Sequence, residues 1–257
     1  MISDYKNPIS DPAYGTRTYR RRIRLENREG YVVAGLEDTL HAFRLIVRHD
    51  GRYITDVEGT WFRHPNQNCT GAVGQFAPYI GKALTAERKI FRSYSDSRQQ
   101  CSHFLDLLGL VVAHALRDEA VRQFDVSVPD IADGKTWGEV AVNGELMHRW
   151  QIDRERVLGP APMNGHTLYG GFSRWSADMF EGDALEAAHV LQMGIFVSFA
   201  GQLDFMAMAA KYENSWIVME PIRGACYAVQ PERIEGASPC HDKRDFTDAT
   251  TPMLQFL

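Results

Sequence analysis

Four runs in which apolar and polar residues alternate, 19–26, 30–36, 40–48 and 52–61, are separated only by "NREG", "LED" and "HDG". Side chains two apart on an extended chain share a face, so each run can turn one face to a core and the other to solvent. Gly30 and the Asp50-Gly51 pair supply the turn chemistry that closes hairpins. The chain therefore opens on an antiparallel meander. After Trp61 the pattern breaks into "FRHPNQNCTGAVG", a loop that carries Cys69. A modest helix is predicted over 73–84 and a stronger one over 102–118, where Phe104, Leu107, Leu108, Val111, Val112 and Ala115 form a helical stripe.

A similar order recurs from 124 onward. "FDVSVPD" reads as a strand, "WGEVAVNGELMHRWQI" as a hairpin turning at Asn143-Gly144, and "GPAPMNGHTLYGG" as a loop. A long helix is predicted from Asp183, an N-cap with Glu186 three residues on, to Tyr212, and strands over 215–221 and 224–229. Placing "LHAFRLI" over "MHRWQI" aligns His41 with His148, Phe43 with Trp150 and Leu45 with Ile152, so each trio shares a strand face. Duplication and coincidence both remain open as explanations. The expected fold is α+β: an antiparallel meander followed by helices, in two sheet-plus-helix units (1–120 and 121–257) packed as one body. A cleft between them is the natural ligand site.

With 257 residues, 44% hydrophobic and 24% charged, the chain is long enough for a substantial core. Its net charge of −5 gives no electrostatic reason to expect a nucleic-acid partner. The local run Arg17, Arg20, Arg21, Arg22 and Arg24 reads as the solvated face of a strand. "MISDYKNPISDPAYG" lacks a signal-peptide core, and the apolar window 187–203 is short and interrupted by His189, Gln192, Ser198 and Gln202. A buried helix, no membrane partner and a cytoplasmic location are expected. Cys69, Cys101, Cys226 and Cys240 contain no CxxC pair, and read as free thiols.

Cys101 and His103 lie at the start of the 102–118 helix. Residues two apart on a helix diverge by about 200°, so they converge only if Ser102 is the N-cap and Cys101 lies outside. There the helix dipole and unpaired N–H groups favour a thiolate. With Cys69 they make a candidate metal set for zinc or iron, with His41 or water in the fourth position. The second half offers different chemistry around its Gly-rich loop: His148, Arg149, His166, Tyr169, Arg174 and Trp175. Imidazoles move protons near neutral pH, Arg holds carboxylates, and Tyr and Trp stack on planar groups. No GxGxxG, P-loop, GxSxG or HExxH occurs, so no nucleotide cofactor is expected and the common hydrolase signatures are absent. His114 and His189 read as core histidines. The tail from Glu235 reads as an irregular segment ending in an apolar anchor, packed over the domain or against another subunit of a homo-oligomer.

Residues 17–118 resemble a bacterial domain family of unknown function. The stretches that carry the likeness are "GLEDTLHAFRLIV", "DVEGTWFRHPNQNCTGA" and "QQCSHFLDLLGLVVAHAL". The family more often has His-Asp-Met where this chain has His41-Ala42-Phe43, and it brings no reaction with it. The layout is also similar to iron–sulfur cluster assembly scaffolds, although no third cysteine lies between Cys69 and Cys101. Two functions follow as expectations. The first is a cytosolic enzyme of small-molecule catabolism, a lyase, isomerase, decarboxylase or hydrolase, acting on a carboxylated or aromatic ligand. In it His41, His148 and His166 are the catalytic candidates, and Arg149, Tyr169, Arg174 and Trp175 bind the substrate. The second is a metal or iron–sulfur carrier that uses Cys69, Cys101 and His103.

Overall fold

The structure, a computed structural model, describes residues 8–257. Its strands are β1 (Thr18–Arg28), β2 (Tyr31–Asp38), β3 (Ala42–His49), β4 (Ile54–Arg63), β5 (Val121–Pro129), β6 (Thr136–Val142), β7 (Glu145–Ile152) and β8 (Val157–Gly159). They form one sheet in the order β4-β3-β2-β1-β5-β6-β7-β8, antiparallel throughout. Two four-strand meanders thus run outward from a β1–β5 seam, where Ile23 faces Phe124 and Arg21 faces Val126. The fold is α+β, as the alternation predicts. Asn143 and Gly144, with φ of 51° and 86°, make the tight β6–β7 turn in the left-handed conformation that their residue types tolerate.

One face of the sheet carries the core. Leu25, Phe43, Leu45, Val47, Phe124, Val140, Trp150 and Ile152 are fully buried on it. Helix α2 (Ser102–His114) lies on β1–β3, and α4 (Gly182–Ser198) on β1 and β5–β7. The second helix approaches very closely: a Cβ on Gly194 would meet Val126 Cγ1 at 2.7 Å, and one on Gly138 of β6 would meet Ile195 Cδ1 at 3.0 Å. Residues 182–202 are long and apolar enough to cross a membrane by composition. In this fold, however, Ala187, Ala188, Leu191 and Ile195 are fully buried in the core.

The other face is covered over β2–β4 by the chain's own C-terminus. A Cβ on Gly35 would meet Leu257 at 2.8 Å, and Phe256 stacks on Phe62 with ring centroids 4.4 Å apart. Glu37, buried, latches the segment: it accepts from Arg63 Nη2 at 3.1 Å, Arg244 Nη1 at 3.3 Å and the Leu254 amide at 2.5 Å. Of the two placements the sequence left open for this tail, it takes the one over its own domain.

Four predicted elements differ. The 73–84 segment is not an α-helix but two 3₁₀ stretches, Gln67–Gln75 and Ala77–Tyr79. Pro78 and two glycines cannot sustain a regular ladder. The long helix starts at Gly182 and stops at Ser198; a 3₁₀ turn follows, and Asp204 caps a new short helix α5 (Phe205–Ala209) by accepting from the Ala207 amide at 2.9 Å. The predicted strands 215–221 and 224–229 are 3₁₀ segments, Ser215–Ile222 and Tyr227–Val229. Their apolar run packs into a small separate core with Leu203, Met208 and Ile234 instead of pairing with a sheet edge, and short apolar runs do not declare their periodicity. The helices α1 (Arg88–Arg92) and α3 (Phe172–Met179) complete the fold.

Candidate active site

At the end of β2 the chain turns directly into β3, and Asp38 organises that turn. Its Oδ1 accepts from the amides of Leu40 and His41, both at 2.8 Å, and lies 3.0 Å from His41 Nδ1. The β1–β2 register sets Arg21 opposite Asp38, with Tyr19 two residues away on the same face. Consequently Arg21 reaches Asp38 Oδ2 from Nε at 3.0 Å and Nη2 at 2.7 Å, and the Tyr19 hydroxyl donates to it at 2.8 Å. Asp38 is fully buried and Arg21 is 2% exposed. Arg20, Arg22 and Arg24 occupy the opposite, half-buried face. The arginine run is thus one partly solvated row plus one interior arginine, correcting the single solvated face.

Burial alone raises a carboxyl, but the His41 and Arg21 charges and the His41 hydrogen bond outweigh it and hold Asp38 well below its usual range. Burial pushes the Tyr19 phenol well up, so it stays a neutral donor. An ionised carboxylate only accepts, so His41 Nδ1 carries a proton and donates to it, and Nε2 is the nitrogen at which the ring would exchange its second proton. His103, from the first turn of α2, sets its ring 3.9 Å from that of His41, centroid to centroid. Burial, then the neighbouring His41 and Arg21, drive its pKa well down and keep it neutral. His103 is half-buried as a residue, yet its Nε2 is sealed and has no hydrogen-bond partner among the described residues. Trp61 flanks the pair, 6.4 Å from His41 and 5.8 Å from His64, and its Nε1 donates to the Cys69 carbonyl at 2.9 Å.

The four cysteines are free thiols. Cys69 has Cys101, Cys226 and Cys240 as electrostatic neighbours, so the loop, the α2 start and the C-terminal third meet there. Cys101 itself is the helix N-cap, and Ser102 is the first helical residue. Burial pushes Cys101 up to about 12 despite the nearby Phe104 and His103 amides, and pushes Cys69 well up. The thiolate expected at this helix start is therefore not favoured: desolvation exceeds the pull of the helix N-terminus. Among the described residues no three His, Cys, Asp or Glu side chains form a group that could hold a metal ion.

The second-half residues do not share one centre. His148 is buried, with Nε2 2.7 Å from the Ala184 carbonyl and its ring against Phe180. Arg149 lies on the other face of β7, 3.0 Å from Glu139 and over the Trp137 ring. His166 stacks on Trp175 at 4.7 Å, Tyr169 donates to the Arg154 carbonyl at 2.9 Å, and Arg174 is exposed. Of the residues singled out from sequence, the structure brings His41 and His103 into contact and sets Cys69 and Cys101 nearby. Asp38, Arg21 and Tyr19 were missed. The available signal was an acid three residues before a histidine across a turn, opposite an arginine in an apolar position. No family model matches the chain, and no curated protein aligns with it significantly.

Proposed function

We propose that the chain is an enzyme that acts by acid–base chemistry on a small carboxylated or aromatic molecule. The reaction is of the lyase, isomerase, decarboxylase or hydrolase type. His41 Nε2 is the proton-transfer atom, Asp38 orients the ring, and His103 is a neutral imidazole beside it, able to relay the proton or to hydrogen-bond the ligand.

The observation that carries this reading is the Asp38–His41–His103 contact, in which a carboxylate fixes one ring nitrogen and leaves the other available. His148, the residue aligned with His41, shows what a structural histidine on this scaffold requires: one carbonyl and an aromatic neighbour. His41 has far more, a buried ion pair and a second imidazole. Four free thiols fit a reducing compartment, so we place the enzyme in the cytosol.

The test is turnover of a defined mixture of small aliphatic and aromatic carboxylic acids, their 2-hydroxy and 2-oxo forms and their simple esters, followed by proton NMR. The wild-type chain should convert at least one component, and His41→Asn, with an unchanged circular dichroism spectrum, should slow that conversion by about 100-fold or more. No conversion, or full rate in His41→Asn, overturns the proposal.

A further inference from the structure

A cleft of about 180 Å³ opens at the seam between the two halves, roofed by the segment that leads into the C-terminal strap. Its apolar wall comes from both halves: Leu40 from the β2–β3 turn, Val197 at the end of α4, and Ala200 and Phe205 beyond it. Tyr19, whose hydroxyl holds Asp38, also lines it. His41 does not line it, so the inference does not depend on the acid–base reading.

Among the described residues the charges around the cleft are three carboxylates and three cations, yet they are not equally committed. Asp130 accepts from the Gly15 amide at 2.8 Å and the Arg17 amide at 3.1 Å. Asp245 accepts from the Thr247 amide at 2.8 Å, and Asp11 from the Ala13 amide at 2.9 Å and from Arg17 at 3.3 Å. Arg17 is consumed by Asp11 and by the Gly201 carbonyl at 3.0 Å. The other two cations are held loosely. Among the described residues Lys243 Nζ comes no closer to a carboxylate than 3.9 Å, from Asp11, and Arg244 offers Glu37 one nitrogen at 3.3 Å and keeps the rest of its donor fork. The formal charges of these side chains balance, but the carboxylates are taken up by amides and Arg17, so the donor capacity left to a ligand is that of Lys243 and Arg244, at the rim of an apolar hollow.

From this geometry we infer that the seam cleft binds a small organic monocarboxylate, its carboxylate on Lys243 and Arg244 and its short hydrocarbon body against Leu40, Val197, Ala200 and Phe205. The volume admits a chain of a few carbons and excludes a nucleotide.

The full-length chain is titrated with butyrate, butyramide and n-butylammonium by saturation-transfer and amide-shift NMR. Butyrate should bind saturably at millimolar concentration, with shifts at residues 197–201 and 243–245. Butyramide and n-butylammonium should bind at least about tenfold more weakly. Lys243→Ala, a partly exposed position, should weaken butyrate about fivefold, the scale of one exposed ionic contact. Ala200→Phe, which fills the hollow, should abolish binding. Non-saturable butyrate shifts, equal binding of the three probes, or unchanged affinity in Lys243→Ala and Ala200→Phe would each overturn the assignment. Turnover is not measured here, so failure leaves the His41 proposal intact, and loss of activity in His41→Asn leaves this one intact.

Discussion

Asp38→Asn is the sharpest perturbation of the buried centre. The carboxylate accepts from the Leu40 and His41 amides, from Tyr19 and from two nitrogens of Arg21, and it lies 3.0 Å from His41 Nδ1. An amide of the same shape keeps one acceptor oxygen and turns an NH₂ group toward donors. Arg21, 2% exposed, then has no counter-charge. Removing one partner of a buried ion pair costs about 3–5 kcal/mol, because the remaining charge stays desolvated. Such a loss is a large share of ordinary domain stability. The assay is urea unfolding followed by tryptophan fluorescence, with the slope checked for constancy. Asp56→Asn, at a carboxylate 51% exposed and 3.8 Å from Arg48, is the control and should change stability by less than about 0.5 kcal/mol. The sign with pH follows from the lowered Asp38 pKa. Above the unfolded carboxyl value, about 3.9, its contribution is complete, and it is lost as pH falls through the lower folded value. The gap between wild type and Asp38→Asn should therefore be present above about pH 5 and should close as pH falls below about pH 4. Adding Arg21→Met should recover part of the loss by removing the stranded cation. A loss below about 1 kcal/mol, or a double variant no better than Asp38→Asn, would refute the reasoning.

Two further outcomes test the rest of the fold. Burial, aided by the Arg88 and Arg92 charges, pushes His189 down to about 3. The unfolded chain takes up a proton below about pH 6.5 that the folded chain refuses until about pH 3. Stability should therefore fall with acidification across that window by up to roughly 4 kcal/mol, and His189→Gln should flatten the limb in thermal melts at pH 7, 5 and 4. Gly194→Val places a Cβ 2.7 Å from Val126 Cγ1, a branched strand side chain with little room to move. It should cost about 1–3 kcal/mol in urea unfolding, and a gain in stability would show that α4 can lift off the sheet freely.

The strands were legible where alternation and turn residues agreed. The runs 19–26 and 30–36 became Thr18–Arg28 and Tyr31–Asp38, and Asn143-Gly144 turned the predicted hairpin. The last quarter was not legible, because "SWIVME" is apolar without a period and nothing in the local sequence says that its partners are Met208, Val229 and Ile234. The short strand β8 was missed for a related reason. Three residues carry no pattern, and only the pairing of Gln151 with Gly159 and Ile152 with Val157 defines it.

The site shows the same limit in sharper form. Strand alignment puts His41 beside His148, and both are buried, His148 within β7 and His41 immediately ahead of β3. What separates them is the residue three positions earlier. In the first half it is Asp38, in a turn that folds back onto the histidine and sits opposite Arg21. In the second half the same count gives Glu145, at the exposed start of β7 just after the tight turn. A tight hairpin leaves no slack for an acid to reach back, so His148 takes the Ala184 carbonyl of the helix above it. Two similar strand ends thus carry an imidazole oriented by a carboxylate in one half and one tied to a backbone carbonyl in the other. The difference rests on loop geometry between strands, which residue types in a linear order do not encode. The three-residue "LED" connection ahead of His41 was read only as a turn, while its last residue, Asp38, is the group on which the proposed chemistry rests.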